Sequence, residues 1–341
     1  MKFSFGKSLS KAFKAQKKIS RLVEKAFKAP QRKPIRARPT SRPPKTVLVE
    51  TAGFGSNPGR LIMKSFVPAT RLPKNPALVV LLHGCRQSPD SLDVATGFSV
   101  LAKERRFVLL YPEQRRANNA QGCFNWFRPS AVARDRGEVL SVKQMIEHAC
   151  ERHRIDRSRI FVAGLSAGGA MTGALVASYP HLFAGAAIIA GMPFGSARDA
   201  MSAMRAMKLG ATPPPGGWGK PVTELTPQAT SWPALTVWQG MDDRIVNRTN
   251  ALACVAQWLE VRGIDESRGR LEEKPWGRLQ SWKVAGELKV ALYLVRNIGH
   301  GLPIKKRTTS TRRSEDPFVI PAEISAPAEL MRLWGLAKLR A

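Results

Sequence analysis

The chain has 341 residues, 43% of them hydrophobic and 23% charged, so it is long enough to bury a sizeable globular core. Its four cysteines are too few for a disulfide scaffold, and they form no Cys-x-x-Cys pair, which argues against a structural zinc site. No apolar run approaches the roughly 18 residues of a transmembrane helix. The net charge of +30 favours anionic neighbours, such as nucleic acid, acidic lipid headgroups or a polyanionic surface.

The positive charge is concentrated at the start of the chain, where residues 1–50 contain ten Lys and five Arg against two Glu. Residues 1–28 predict a basic amphipathic helix, and residues 29–45, with five prolines, predict an extended linker. We interpret the segment 1–45 either as a solvated tail or as a helix that contacts an anionic surface, granule or membrane. Specific recognition of nucleic acid is not expected, because binding by such a tail is electrostatic and falls with salt. Basic residues interrupt the apolar stretch that a signal peptide needs, so a cytoplasmic location is expected, with export as the alternative.

From residue 46 to residue 341 the sequence predicts one domain in which strands alternate with helices. The apolar runs that predict strands are 47–50, 60–67, 77–84, 107–113, 159–166, 184–191, 234–240 and 289–300. The stretches that predict helices are 91–106, 138–154, 168–180, 250–263 and, at the end, 328–339. Residues 196–233, which include PPPGGWGKP, predict a lid-like excursion that shapes a binding site. This order is typical of the α/β class, with a mostly parallel central sheet that helices cover on both faces.

The segment Gly164-Leu165-Ser166-Ala167-Gly168 stands between an apolar strand and a helical stretch, which is the context of a nucleophile elbow. Such a turn is tight, so small residues must flank the serine, whose Oγ is lifted clear of the backbone at the start of a helix. The alternative is a glycine-rich turn without a catalytic role. The strand before the turn and the helix after it favour the α/β-hydrolase fold, with Ser166 as its nucleophile.

A serine hydroxyl needs a base, and in this fold an acid and then a histidine follow the serine along the chain. His300 is the only one of the five histidines that lies beyond the seventh predicted strand, 234–240, and it stands at the end of the final apolar run, so it is the predicted base. After strand 234–240, the turn Gly-x-x-Asp-x-x-Val selects Asp243 over its neighbour Asp242, since a shift of one residue redirects the side chain. The predicted triad is therefore Ser166, Asp243 and His300.

Two backbone N–H groups are expected to hold the oxyanion that forms during acyl transfer. One is the N–H of Ala167, directly after the nucleophile, and the other is the N–H of Cys85, in the loop after the third strand. We expect His83 to orient that loop rather than to act as a base. The predicted chemistry needs no metal ion and no organic cofactor.

Three segments resemble the polyhydroxybutyrate (PHB) depolymerase family of esterases, whose relatives include feruloyl and acetylxylan esterases. They begin HGCRQSPD at 83, NNAQGCFNWFRP at 118 and IDRSRIFVAGLSAGG at 155, and the closing SEDPFVIPAEISAPAELMRLWGL at 314–336 is also similar. The resemblance implies a serine esterase that forms an acyl-enzyme on poly- or oligo(3-hydroxybutyrate) or related short-chain esters. A feruloyl- or acetylxylan-type carbohydrate esterase is one alternative. An anionic-surface or nucleic-acid binding protein on a hydrolase scaffold is an alternative of another class.

The resemblance has two further implications for residues of this chain. It implies a disulfide between Cys85 and Cys123, where the alternative is two reduced, buried thiols. It also implies that Trp126 and Phe127 line the acyl pocket, where the alternative is packing in the core. Members of the family are commonly exported.

Overall fold

The computed structural model describes residues 47–305 and 316–336, and a compact unit begins at Val47. The predicted helix and linker of residues 1–45 lie outside the described residues. So do residues 306–315, which contain the basic sequence KRTTSTRR, and residues 337–341, which contain the end of the predicted C-terminal helix 328–339. None of the helices in the described ranges combines the length and the apolarity that crossing a bilayer requires.

The core is a ten-stranded sheet within the described residues. Its strands are β1 (Val49–Thr51), β2 (Ile62–Phe66), β3 (Leu78–Leu82), β4 (Val108–Glu113), β5 (Ile160–Leu165), β6 (Gly185–Ile189), β7 (Ala234–Gly240), β8 (Arg270–Lys274), β9 (Gly277–Val284) and β10 (Glu287–Val295). Their spatial order is β1-β2-β4-β3-β5-β6-β7-β10-β9-β8. The six central strands, from β4 to β10 in that order, are parallel, and the two strands at each edge are antiparallel to their neighbours. A separate parallel pair consists of β11 (Leu302–Lys305) and β12 (Val319–Ala322).

Helices connect and cover these strands. They are α1 (Pro89–Thr96), α2 (Phe98–Arg105), α3 (Pro129–Val132), α4 (Gly137–His153), α5 (Ala167–Ser178), α6 (Ala200–Leu209), α7 (Lys220–Leu225), α8 (Thr249–Glu260) and α9 (Ala326–Leu333). The stretch 91–106, predicted as one helix, is two helices because Gly97 adopts φ +72°, in the left-handed region.

Both faces of the central strands are buried, which explains their unbroken apolar sequences. On one face Ile160 and Val162 join a large hydrophobic cluster that includes Met145 of α4. On the opposite face Phe161 stacks on Trp334, with ring centroids 4.9 Å apart. The sheet and its two covered faces confirm the predicted fold class.

Two further parts of the chain differ from the sequence prediction. Strands β8 and β9 form a hairpin that extends the sheet. The sequence predicts no element there, because many residues of these strands are exposed or charged and they form no apolar run. The excursion at 196–233 is not a plain loop, since it contains α6 and α7. Side chains of α8 hold it in place. Asn250 Nδ2 donates to the carbonyl O of Ala206 at 3.0 Å, and Gln257 Nε2 donates to that of Trp218 at 2.9 Å.

Candidate active site

Ser166 occupies a strained turn between β5 and α5. Its backbone lies at φ +57° and ψ −117°, a region that residues with a side chain rarely adopt. The turn is held because the Ser166 N–H donates to Ile189 O at 2.8 Å and its carbonyl accepts the Ala170 N–H at 2.9 Å. A side chain on Gly164 would overlap the backbone of Gly168, so the small residues around the serine are a steric requirement. This is the geometry expected of a nucleophile elbow.

Asp243 and His300 are joined by a hydrogen bond of 2.8 Å between Asp243 Oδ2 and His300 Nδ1. The same carboxylate accepts three more hydrogen bonds. They come from Gln239 Nε2 at 2.7 Å and from the N–H groups of Ile245 and Val246 at 2.8 and 2.9 Å. Burial alone would raise the pKa of Asp243, but His300 and the two backbone donors hold it below its ordinary value of 3.8. The carboxylate is therefore ionised at neutral pH and able to orient the imidazole.

Asp242, the competing acid of the sequence prediction, lies differently. It is exposed, and its backbone N–H donates to Ile298 O at 3.0 Å. The structure brings His300 to Asp243 rather than to this neighbour.

The sheet topology gathers the three predicted triad residues at one edge. Ser166 follows β5, Asp243 follows β7 and His300 follows β10. These strands and β6 are consecutive and parallel, so their carboxyl ends meet at the same edge. Backbone hydrogen bonds continue the pairing past the ends of these strands. The N–H groups of Ser166, Ala190, Met241 and Asp242 donate to the carbonyls of Ile189, Trp238, Val295 and Ile298, respectively.

The predicted oxyanion loop lies beside the serine. A Cβ placed on Gly84 would come within 3.5 Å of Ser166 Cβ, and Cys85 follows directly. Within residues 47–305 and 316–336, neither the Cys85 N–H nor the Ala167 N–H donates a hydrogen bond to a protein acceptor. Two backbone donors are therefore available near Ser166, as an oxyanion hole requires.

His83 is a buried part of that loop. Its Nε2 accepts the Gln114 N–H at 3.1 Å, so the proton lies on Nδ1, which donates to Gly84 O at 2.8 Å. Burial lowers the pKa of His83 to about 4, and the ring is neutral at pH 7. Because Gly84 O and the Cys85 N–H belong to one peptide group, His83 fixes the direction of the predicted oxyanion donor.

A disulfide joins Cys85 to Cys123, with their Cα atoms 4.3 Å apart. The same two loops are joined by the Arg86 N–H, which donates to Gln121 O at 2.8 Å. The loop after β3 is thereby tied to the loop that contains the CFNWF sequence.

Trp126 and Phe127 lie in that second loop, and both are half-buried. Their rings meet edge to face with centroids 5.7 Å apart. Trp126 packs against the hydrophobic cluster, whereas the Phe127 ring carries the Arg128 guanidinium 5.9 Å from its centroid. The two aromatic side chains therefore differ in environment, although the sequence treats them as a pair.

Two buried polar side chains that support the site were not predicted. Gln239 donates to Asp243, and Glu138 accepts from Gln114 Nε2 at 2.7 Å and from the N–H and Nδ2 of Asn125 at 2.8 and 2.6 Å. Burial raises the pKa of Glu138 even though these donors oppose the shift. The available signal was a single polar residue in a buried stretch, as in ALTVWQG, which marks a polar contact without naming its partner.

Comparison with known proteins identifies the family. The family model described as Esterase PHB depolymerase matches residues 63–274. The chain belongs to this family. The poly(3-hydroxyalkanoate) depolymerase C of Paucimonas lemoignei is 38% identical over 267 residues, which cover 76% of this chain and 63% of that protein. Feruloyl esterase B of Talaromyces stipitatus is 30% identical, with 64% of this chain and 62% of that protein covered. The chain thus spans a little under two thirds of the length of these two relatives.

Other relatives of this PHB depolymerase family member extend the comparison. Feruloyl esterase B of Neurospora crassa is 27% identical over 76% of this chain and 90% of its own length. The solved structure of an acetyl xylan esterase from Aspergillus awamori superposes with a TM-score of 0.71. The superposition covers 85% of this chain and 99% of the acetyl xylan esterase, at 22% identity. At this identity the likeness shows a shared fold, the α/β-hydrolase fold.

Proposed function

We propose that this chain hydrolyses carboxylic esters through an acyl-enzyme on Ser166. The observation that carries the proposal is the buried Asp243–His300 hydrogen bond, at the sheet edge that also presents the strained Ser166 turn. Because His300 Nδ1 is the donor to Asp243, its Nε2 carries a lone pair that can accept the serine proton. Family membership supports the same class of reaction.

The reaction follows from these roles. His300 Nε2 removes the proton of Ser166 Oγ as the oxygen attacks the ester carbonyl, and the Cys85 and Ala167 N–H groups bind the resulting oxyanion. The imidazolium then protonates the leaving alcohol, and the acyl group remains on Ser166. A water molecule that gives its proton to His300 attacks the acyl carbonyl, and the acid leaves as the serine is restored.

Replacing Ser166 with Ala tests this proposal on p-nitrophenyl acetate and butyrate. Hydrolysis is expected to fall to the level of the uncatalysed reaction, while the melting temperature and the circular dichroism spectrum stay close to those of the wild type. Substantial residual turnover by a folded Ser166→Ala protein would refute the assignment.

Poly- or oligo(3-hydroxybutyrate) and related short-chain esters are the proposed substrates. The support is the similarity to depolymerase C, which is closer in identity than that to the feruloyl esterases cited above. A carbohydrate esterase acting on feruloyl or acetyl groups is the second candidate, because relatives with those names also match. A panel of hydroxybutyrate oligomers, methyl ferulate and acetylated xylan distinguishes them by kcat/KM.

The basic tail supports a separate proposal about partners. Its ten Lys and five Arg within residues 1–50 favour contact with an anionic surface, granule or membrane, independently of the catalytic step. Deletion of residues 1–45 is expected to abolish salt-sensitive binding to anionic vesicles and to leave turnover of p-nitrophenyl butyrate unchanged. Loss of turnover would contradict the independence of tail and site.

The Cys85–Cys123 disulfide bears on location. Such bonds persist in oxidising compartments and are rare in a reducing cytosol, so the disulfide favours export over the cytoplasmic expectation. To test this, native cells are fractionated, free thiols are alkylated, and the protein is analysed by mass spectrometry. Alkylated Cys85 and Cys123 in a cytosolic fraction would contradict export.

A further inference from the structure

Gln87 contacts two parts of the chain that are far apart in sequence. Its side-chain carbonyl Oε1 accepts the Gly84 N–H at 2.7 Å. Its Nε2 donates to both carboxylate oxygens of Asp316, at 3.0 and 2.9 Å, across a separation of 229 residues. One half-buried amide therefore bridges the loop after β3 and the segment before β12.

On the first side of this bridge lies the predicted oxyanion loop. Gln87 holds the Gly84 N–H through its side chain, and its own N–H donates to Gly84 O at 3.3 Å. His83 Nδ1 donates to the same Gly84 O. Both peptide groups that flank Gly84 are thus restrained, and the second of them carries the Cys85 N–H.

On the second side lies the segment that packs against His300. Asp316 is buried, and its Oδ1 also accepts the Phe318 N–H at 3.0 Å. The Phe318 carbonyl accepts the Leu302 N–H at 2.8 Å, and the Phe318 ring meets the His300 ring edge to face at 5.9 Å. A displacement of Asp316 would therefore reach the loop that carries the predicted base.

We propose that Gln87 is a positioning residue that sets the oxyanion loop relative to His300; the proposal rests on the function proposed above. An amide suits this place because it accepts from an N–H while it donates to a carboxylate. An ionised carboxylate at position 87 could still accept from Gly84, but it would face the carboxylate of Asp316 without a donor. Small errors in such placement reduce the rate of catalysis far more than they reduce substrate binding.

Three variants test this inference: Gln87→Glu, Asp316→Asn, and the two changes combined. Gln87→Glu is expected to lower kcat by about 10- to 100-fold, and KM should stay within about threefold, because the transition state is affected more than the ground state. In the combined variant an amide at position 316 can donate to the new carboxylate, which in turn accepts from Gly84. It is therefore expected to recover kcat by about fivefold or more over Gln87→Glu alone, which is a favourable coupling between the two changes.

An alkylboronic acid supplies a readout that general destabilisation would not move, because it forms a tetrahedral adduct with the nucleophilic serine. Its inhibition constant should rise with Gln87→Glu by about the same factor as kcat falls. Wild-type kcat in Gln87→Glu, a fall in kcat with unchanged boronate affinity, or a combined variant no better than Gln87→Glu would each overturn the inference. If Gln87→Glu does not fold, Gln87→Ala serves in its place: it should show the same loss of kcat and of boronate affinity, and wild-type values for both would overturn the inference.

The Ser166→Ala protein, measured in the same series, separates this inference from the proposed function. If Ser166→Ala is inactive while Gln87→Glu keeps the wild-type kcat, only the role of Gln87 is wrong. If Ser166→Ala keeps its activity, the proposed function itself fails.

Discussion

His300 Nδ1 lies 2.8 Å from Asp243 Oδ2, although 57 residues separate the two in the sequence. Their side chains are 3% and 0% exposed, so water does not compete for this contact. A charge-assisted hydrogen bond is strengthened by such a low local dielectric. The parallel strands β7 and β10, whose carboxyl ends are adjacent, bring the two residues together.

Replacing Asp243 with Asn should lower kcat on p-nitrophenyl butyrate by about 10³- to 10⁴-fold, because an amide no longer stabilises the imidazolium or fixes the proton on Nδ1. Asp242→Asn is the matched control, since Asp242 is exposed and the carboxylate that contacts His300 is that of Asp243. Its kcat should stay within about twofold of the wild type. The reverse pattern would show that the acid has been misassigned.

Much of this site could be predicted because its residues stand at the ends of fully buried strands. The unbroken apolar runs of β3, β5 and β6 predict parallel strands, and the small residues around Ser166 predict the tight turn that follows β5. The order of serine, acid and histidine then restricts the choice to few residues. The sequence therefore predicts the backbone path and the candidate triad residues that follow it.

The supporting polar contacts of Gln87 and Glu138 could not be predicted, because they join residues that are distant in sequence. Gln87 meets Asp316, and Glu138 meets Gln114, through contacts that no local periodicity records. Helix α6 was missed for another reason. Its start carries a capping box, in which Asp199 accepts from the N–H of Ser202, but the Pro- and Gly-rich sequence after residue 209 favours interpreting the whole stretch 196–233 as one excursion.

Loss of the Cys85–Cys123 disulfide should destabilise the protein. The two cysteines are 38 residues apart, and the loop entropy of such a cross-link corresponds to about 3–4 kcal/mol of unfolding free energy. Urea unfolding of Cys123→Ala measures this loss. Because Cys123→Ala and Cys85→Ala/Cys123→Ala break the same bond, the double variant should be about as stable as the single one. Clearly additive losses would mean that the sulfurs are not bonded.

The free energy of unfolding should decrease as the pH is lowered from 6.5 to about 4, because of His83. Its folded pKa of about 4 lies below the ordinary 6.5, so in this window the unfolded chain binds a proton that the folded protein does not. The contribution of the neutral His83 ring to the unfolding free energy is complete above pH 6.5. Its loss toward pH 4 is at most on the order of 3 kcal/mol. In His83→Asn this part of the pH dependence of urea unfolding should disappear. The control His181→Asn, at an exposed histidine, should retain it; an unchanged slope in His83→Asn would contradict the neutral, buried state of the ring.

Trp126 and Phe127 should respond differently to truncation, because only the first packs against the hydrophobic cluster. Trp126→Ala should lower the unfolding free energy by about 2–4 kcal/mol, as the loss of a large, partly buried ring does. Phe127→Ala should change stability by less than about 1 kcal/mol. If Phe127 lines the acyl pocket, its removal opens space beside the acyl chain, so the ratio of kcat/KM for p-nitrophenyl hexanoate to that for the acetate should rise by about threefold or more. Thermal unfolding and this chain-length series measure both effects on the same preparations. A constant ratio in Phe127→Ala would mean that the ring packs on the surface beside Arg128 and that other side chains form the acyl pocket.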